Sequence, residues 1–180
     1  IVRVVATDAV REVMRATFSE KLMPTLYRSS FEAGQALREP STRDAVVAGF
    51  REQTAVVAVG VDALIERAAV EGMSMIIEGA HVVPGFMDLE SRSDRIVAVP
   101  AIVTVEEEEV HRSHFTTRST DHADRPSIRY LRSFDDIRRV QRYVKSQALS
   151  HGVRVIPNSN SDHTLAALID LVMERVTERA

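Results

Sequence analysis

The sequence predicts an α/β domain whose parallel sheet is covered by helices on both faces. Short, nearly continuous apolar runs rich in β-branched residues are typical of strands that are buried on both sides. Segments with apolar residues at helical spacing alternate with these runs, as expected where helices connect parallel strands. The 180 residues, 44% of them hydrophobic, can bury one sizeable core but are too few for two ordinary domains, so we expect one domain over 1–180.

The first half of the chain predicts two strands and the helices between them. The run 1–6 is apolar and β-branched, which indicates a buried strand, and Asp8 is in position to cap the following helix. A short helix is expected over 26–35. Residues 44–71 keep a helical period and end at a glycine, a common helix stop. The run 73–77 lies between two glycines and is too short for a helix, so it predicts the second strand.

The second half predicts two more strands around a polar excursion. The run 96–105 is the third strand candidate, and its last five residues are the best supported because a proline precedes them. Residues 106–125 are polar, rich in His and Arg and without clear period, which indicates a mobile segment. A helix is then expected from 126 to 152, a fourth strand over 153–156, and a last helix capped by Asp162.

Composition excludes several classes of function. The 23 basic and 26 acidic residues give a formal charge of −3, so no general basic field exists to hold nucleic acid or an anionic membrane. The absence of cysteine excludes disulfides, thiolate metal sites and cysteine nucleophiles. No apolar run reaches the length of about 18 residues that a membrane span needs. We therefore expect a soluble, cytoplasmic protein.

A phosphate loop of the form G-x-x-x-x-G-K-[ST] does not occur in these residues. Lys21 and Lys145 are the only lysines in the sequence, and neither follows a glycine. The sequence also starts at Ile1, without an initiator Met or a signal-peptide layout, and runs directly into an apolar stretch. We therefore expect an amino-terminal piece to be missing from this chain.

Candidate site residues follow the predicted strands, because ligands of parallel sheets bind beyond the carboxyl ends of the strands. Asp8 follows the first strand, and Arg11 and Arg15 lie one turn apart on the next helix, where two guanidiniums could clamp a phosphate or carboxylate. The alternative is that Asp8 only caps the helix and both arginines line a solvated face. Arg28 could add a third contact to a doubly charged ligand.

Glu78 ends the second predicted strand and precedes a glycine, which is the layout of a Walker-B-like position. A carboxylate there can hold a magnesium-bound water or orient an acceptor hydroxyl, although acidic residues at strand ends are also common. His81 lies within reach of the same pocket, but a lone loop histidine is more often a polar filler. Asn158 could contact a nucleotide, although Asn and Ser in that loop also form ordinary turns.

Several segments, in a fixed order, resemble the 2-phosphoglycerate kinases, a family of P-loop small-molecule kinases. The resemblance covers essentially the whole chain from the second strand of that fold onward. The segments are TDAVREVMR over 7–15, MPTLYRSSFEAG over 23–34, IIEGAHVVPG over 76–85, EEEEVHRSHFTTR over 106–118 and RYLRSFDDIRRVQ over 129–141.

The resemblance implies a P-loop NTPase-like three-layer sandwich with a mostly parallel sheet, here lacking the first strand, the phosphate loop and the first helix. It implies transfer of the γ-phosphoryl group of ATP to 2-phosphoglycerate, giving 2,3-bisphosphoglycerate with the assistance of Mg²⁺. Another small-molecule acceptor, or a non-catalytic remnant that binds an anion, are the alternatives. Without a phosphate loop we expect the 180 residues alone to be inactive.

The resemblance also gives a role to the polar segment 106–125, which fits the lid of such a kinase. Arg112 and Arg118 would close over the phosphates and stabilise the transition state. The alternative is an exposed loop whose arginines pair with the neighbouring glutamates. A zinc site built from the nearby histidines and an aspartate has no diagnostic spacing; its candidates are His111, His114, Asp121 and His122.

Overall fold

The computed structural model describes residues 3–39, 44–121 and 127–179. The chain divides into two compact units, Ile1–Ile96 and Val97–Ala180. In each unit, the described strands form one parallel pair. Helices precede, follow or connect these strands, which confirms the α/β class. The described strands thus form two small sheets, whereas the sequence suggested one.

The first unit places a strand pair beside two helices. Strand β1 (Arg3–Ala6) runs directly into helix α1 (Thr7–Thr17), and helix α2 (Ala45–Glu71) leads to strand β2 (Met75–Glu78). The strands pair in parallel with Ala6 opposite Glu78, so both end at the same level. Between α1 and α2 lie two short 3₁₀ turns, Pro24–Tyr27 and Ala33–Ala36.

Helix α2 carries the core of this unit and confirms the sequence prediction. The side chain of Asp44 accepts a hydrogen bond from the Val47 amide at the amino end. Gly72 ends the helix with a φ of 62°, in the left-handed conformation that glycine adopts without strain. Its fully buried residues Val57 and Val61 pack in a cluster with Val10 of α1 and Leu26.

The second unit contains the other strand pair, and Thr104 lies opposite Pro157 in its register. Helix α5 stabilises the turn after the first of these strands, because Gln141 donates to the Val105 carbonyl and accepts from the Val105 amide. The elements of this unit are strand β3 (Ala101–Thr104), helices α3 (Glu108–Asp121), α4 (Ser127–Arg132) and α5 (Phe134–Ser150), strand β4 (Arg154–Pro157) and helix α6 (Ser161–Thr177).

Both predicted amino-terminal helix caps, Asp8 and Asp162, lie two residues after the observed cap positions. Asp8 lies inside the first turn of α1, whose amino-terminal flanking residue is Ala6, because β1 continues into the helix without a connecting loop. At α6 the cap is Asn160, whose Oδ1 accepts from the amides of Asp162 and His163 at 2.8 and 3.2 Å. Both aspartates therefore act as first-turn acids that favour the positive end of the helix dipole.

Three further element predictions are corrected. The expected helix over 26–35 is a pair of 3₁₀ turns, because side chains from α1 and α2 bind backbone carbonyls of this segment. The excursion 106–125 forms helix α3 as far as Asp121, where His111 and Phe115, four residues apart, contact the Phe134 ring. The helix expected over 126–152 consists of α4 and α5, with Ser133 between them.

No helix within the described ranges combines the length and the apolar character that a membrane span requires.

Helix α2 and the second 3₁₀ turn approach each other closely at Gly49. A Cβ added at Gly49 would lie 2.2 Å from the Gly34 nitrogen, so backbone would have to move. Gly→Ala within a helix ordinarily stabilises by about 1 kcal/mol. We expect Gly49→Ala to have the opposite sign and to destabilise by about 1–3 kcal/mol in urea unfolding. A gain in stability would contradict the packing described here.

Candidate active site

The carboxyl ends of β1 and β2 lie side by side and bring two predicted site residues together. Asp8 comes two residues after Ala6, and Ala6 is the register partner of Glu78. Gly79, with a φ of 129°, turns the chain away from β2, and a Cβ there would lie only 2.1 Å from Thr7 Oγ1. The contact needs glycine for both its conformation and its size. Asp8 and Glu78 thus lie at strand ends of one pair, whereas Asn158 and the segment after Val105 follow strands of the other pair, and not of one common sheet as the sequence suggested.

Arg11 is held by the protein itself. Its Nη1 donates to the carbonyls of Leu26 and Arg28 at 3.2 and 2.8 Å, and its Nη2 donates to Glu12 at 3.0 Å. Nε lies 3.5 Å from Asp8, too far for a strong hydrogen bond, and the side chain is 15% exposed. Because a guanidinium has five N–H donors, most of this donor set is already used within the protein. Arg11 therefore stabilises the 26–28 backbone as well as adding positive charge.

Arg15 lies one turn further along α1 and is more exposed than Arg11. Its Nη1 lies 3.3 Å from Glu12, and its guanidinium lies over the Tyr27 ring at 5.4 Å from the centroid. Glu12 thus bridges both arginines and stands where an anionic ligand would be expected. The sequence does not single out Glu12, because a carboxylate between two arginines is typical of an ordinary helix surface.

The Arg28 side chain is exposed, and its guanidinium has no hydrogen bond or ion pair with any residue that the structure describes. Its backbone is nevertheless fixed, since the Arg28 carbonyl accepts from both Arg11 and Gln53 at 2.8 and 2.9 Å. A fixed backbone with an available guanidinium suits recognition of a phosphate or carboxylate. Among the three predicted arginines of this unit, Arg28 has the donor set best able to meet a ligand.

Glu78 is exposed at the end of β2, and within the described ranges its carboxylate has no hydrogen-bonding or ionic partner. One available carboxylate fits a Mg²⁺ site of the common kind, in which the ion keeps several waters and takes its other ligands from substrate phosphates. The described residues contain no group of three or more His, Asp or Glu side chains able to hold a metal ion by themselves. The described residues thus give no support to the zinc alternative, one of whose candidates, His122, lies outside them.

His81 is buried, in contrast to the predicted contact with a ligand. It is 1% exposed, its Nδ1 lies 3.2 Å from Thr7 Oγ1, and its Nε2 lies 2.8 Å from Gln53 Oε1. The Gln53 amide nitrogen donates to the carbonyls of Thr25 and Arg28, so Oε1 is left as an acceptor. Nε2 of His81 must then carry the proton, and Nδ1 accepts from the Thr7 hydroxyl.

The pKa of His81 is lowered from 6.5 to about 4, chiefly by burial; the charge of Asp8 opposes this change, and the positive charge of Arg11 adds to it. His81 is therefore neutral at pH 7, as its hydrogen bonds require. Gln53 was not singled out in the sequence. The one available signal was a polar amide at a core-facing position of α2, three residues after Phe50 and four before Val57.

The second unit contains the remaining predicted residues. Arg112 is exposed on α3, and its guanidinium lies 3.9 Å from the centroid of the Phe134 ring. Position 118 belongs to the same helix, and six residues separate it from Arg112, about 120° apart around the axis. Asn158 Oδ1 accepts from the Thr164 hydroxyl at 3.0 Å, which ties the end of β4 to α6. His122 lies outside the described residues.

Curated relatives named 2-phosphoglycerate kinase match nearly the whole chain. The relative from Methanothermobacter thermautotrophicus is 43% identical over 168 residues, covering 92% of this chain and 55% of its own length. Those from Methanopyrus kandleri and Thermococcus kodakarensis are 37% and 34% identical, covering 98% and 97% of this chain. The chain spans about half the length of the curated relatives it matches. No family model and no solved structure matches it.

The low pKa of His81 predicts a specific loss of stability in acid. Between pH 6.5 and about 4 the unfolded chain binds a proton at His81 that the folded protein does not, so unfolding is favoured as the pH falls. When the whole difference between the folded and the unfolded pKa of His81 takes effect, the free energy of unfolding falls by about 3 kcal/mol. We expect His81→Gln to lose less unfolding free energy than the wild type between pH 7 and pH 4, measured with urea. Identical pH dependence in both proteins would contradict a buried neutral His81.

Proposed function

Because the chain belongs by sequence to the 2-phosphoglycerate kinase family, we propose that the full-length protein transfers the γ-phosphoryl group of ATP to 2-phosphoglycerate. The product is 2,3-bisphosphoglycerate. The acceptor hydroxyl oxygen bonds to the γ-phosphorus, the bond from that phosphorus to the bridging oxygen of ADP breaks, and the hydroxyl proton is released. The protein is proposed to act in the cytoplasm on small molecules.

The observation that carries this proposal is that two exposed, oppositely charged side chains of the first unit, Arg28 and Glu78, have no partner among the described residues, and that Glu78 ends one of two parallel strands whose carboxyl ends lie side by side. 2-Phosphoglycerate offers a phosphate and a carboxylate for cations and a hydroxyl for a carboxylate. Arg28, supported by Arg15 and Arg11, would bind the acid groups. Glu78 would orient the hydroxyl or hold a water of the metal ion, and Asp8 would orient Arg11.

Mg²⁺, when bound, would neutralise charge on the transferring phosphoryl group. Arg112 and Arg118 of α3 are proposed to supply further positive charge as part of a lid over 106–125. An arginine in that role is worth about 10³-fold or more in rate. The P-loop type of fold and the phosphate loop also belong to the proposal. Since the 180 residues contain no such loop, the activity is proposed for the whole protein and not for this chain alone.

The full-length protein incubated with ATP, Mg²⁺ and 2-phosphoglycerate should form ADP and 2,3-bisphosphoglycerate in equal amounts, as measured by ³¹P NMR. Shikimate and gluconate are the comparison acceptors. Turnover of either one with 2-phosphoglycerate left unchanged would overturn the substrate assignment in favour of another small-molecule kinase. Transfer to none of the three would overturn the kinase assignment in favour of an anion-binding protein.

Arg28 gives the sharpest test of acceptor binding. Loss of one charge-assisted contact costs about 1.5–3 kcal/mol, so Arg28→Gln should raise the acceptor KM by about 10- to 150-fold with little change in the ATP KM. Arg67→Gln is the control, because Arg67 is an exposed α2 arginine paired with Glu71.

Arg11→Lys should raise the acceptor KM more than the ATP KM and also lower Tm, because lysine lacks the planar fork of donors that arginine has. Equal changes in both KM values would contradict these roles.

A further inference from the structure

A buried polar network links the segment that carries Arg28 to the strand ends of the candidate site. Gln53 is fully buried, as are Thr7 and Thr25. Burying an amide and an imidazole among apolar residues costs free energy unless every polar atom finds a partner. An apolar side chain at such a position would avoid that cost. The polar residues therefore call for an explanation other than core stability.

The network has one direction throughout. The Thr7 hydroxyl donates to His81, the protonated His81 nitrogen donates to Gln53, and the Gln53 amide donates to two backbone carbonyls. Each of these donors is used, and each has its acceptor within the protein. A fully satisfied network of this kind in a low-dielectric interior holds its members in one arrangement.

The ends of the network lie next to proposed ligand-binding groups. Thr7 precedes Asp8 in the chain, and His81 lies three residues after Glu78. At the other end, the accepting carbonyl belongs to Arg28 itself. The network thus fixes the backbone on both sides of the place where the acceptor is proposed to bind. Helix α2 supplies Gln53 as the rigid support between the two sides.

We propose that Gln53 and His81 are positioning residues for the acceptor, which set the distance between Arg28 and the strand end at Glu78 without contacting the ligand. This inference rests on the proposed function. It replaces the direct contact predicted for His81. Because displacement of a binding group by about 1 Å can cost about 100-fold in rate, small shifts of the Arg28 backbone should change acceptor binding and leave ATP binding nearly unchanged.

The test compares variants that break different links of the network. Gln53→Met keeps volume and loses both amide donors. His81→Gln keeps an amide nitrogen near the Nε2 position and so keeps the link to Gln53, whereas His81→Asn is too short to reach it. Thr54→Val is the matched control, because Thr54 is a buried neighbour on α2 whose hydroxyl has no hydrogen-bond partner among the residues that the structure describes.

In the full-length protein, Gln53→Met and His81→Asn should raise the acceptor KM by about tenfold or more and change the ATP KM by less than about twofold. His81→Gln and Thr54→Val should stay within about threefold of wild type in both constants. If Gln53→Met does not fold, the comparison of His81→Asn with His81→Gln decides. Equal changes in both KM values, or equal effects of the two His81 variants, would overturn the inference.

Calorimetric titration with 2-phosphoglycerate, without ATP, separates this inference from the proposed function. If the wild type binds 2-phosphoglycerate but does not phosphorylate it, the proposed function fails. Positioning is still supported in that case if Gln53→Met and His81→Asn bind 2-phosphoglycerate more weakly than the wild type, His81→Gln and Thr54→Val do. If the wild type phosphorylates it and the variants bind it as tightly as wild type, positioning fails while the function stands. Absence of binding by the wild type would overturn both.

Discussion

The Gln53 amide imposes the constraint on which the candidate site depends. Both of its N–H groups are donated to backbone carbonyls, at Thr25 and Arg28, so its oxygen can only accept. That requirement places the proton of His81 on Nε2 and leaves Nδ1 to accept from Thr7. One side chain of α2 therefore determines the tautomer of a buried histidine, the direction of a hydroxyl and the position of a surface arginine.

Arg11 and Arg28 differ in what their side chains do, and the sequence alone could not tell them apart. The Arg11 guanidinium donates hydrogen bonds to the carbonyls of Leu26 and Arg28, so it supports the backbone at Arg28. Arg28 keeps its guanidinium exposed on that supported backbone. A flexible arginine would lose more side-chain and backbone entropy when it binds a ligand, and prior fixation of the backbone reduces that cost. Support of the backbone by Arg11 together with the ligand contact proposed for Arg28 would suit the binding of a small polyanion.

Local sequence patterns were sufficient to predict the strands and helix α2, because burial in these elements follows from apolar runs and helical periods. They failed over 106–125, where the face of α3 that packs is formed by His111 and Phe115 within a charged sequence. They also misplaced the amino-terminal caps of α1 and α6, because β1 continues into α1 from Ala6 and because Asn160, and not Asp162, has the extended backbone of the cap position at α6. Gln53 was beyond reach because its partners lie 25 to 28 residues away in the chain.

The protonation state of His81 gives the most direct test of whether the Gln53 amide fixes the buried network. Long-range ¹H–¹⁵N correlation spectra of the protein labelled with ¹⁵N-histidine, recorded at pH 7, distinguish protonated from unprotonated ring nitrogens. The account predicts that His81 is neutral, with a protonated Nε2 and an unprotonated Nδ1. A neutral ring with its proton on Nδ1, or an averaged signal from both tautomers, would contradict it, because the Gln53 amide would then have to donate to Nε2 and could not donate to both carbonyls. A charged ring would contradict the neutral state that burial of His81 requires.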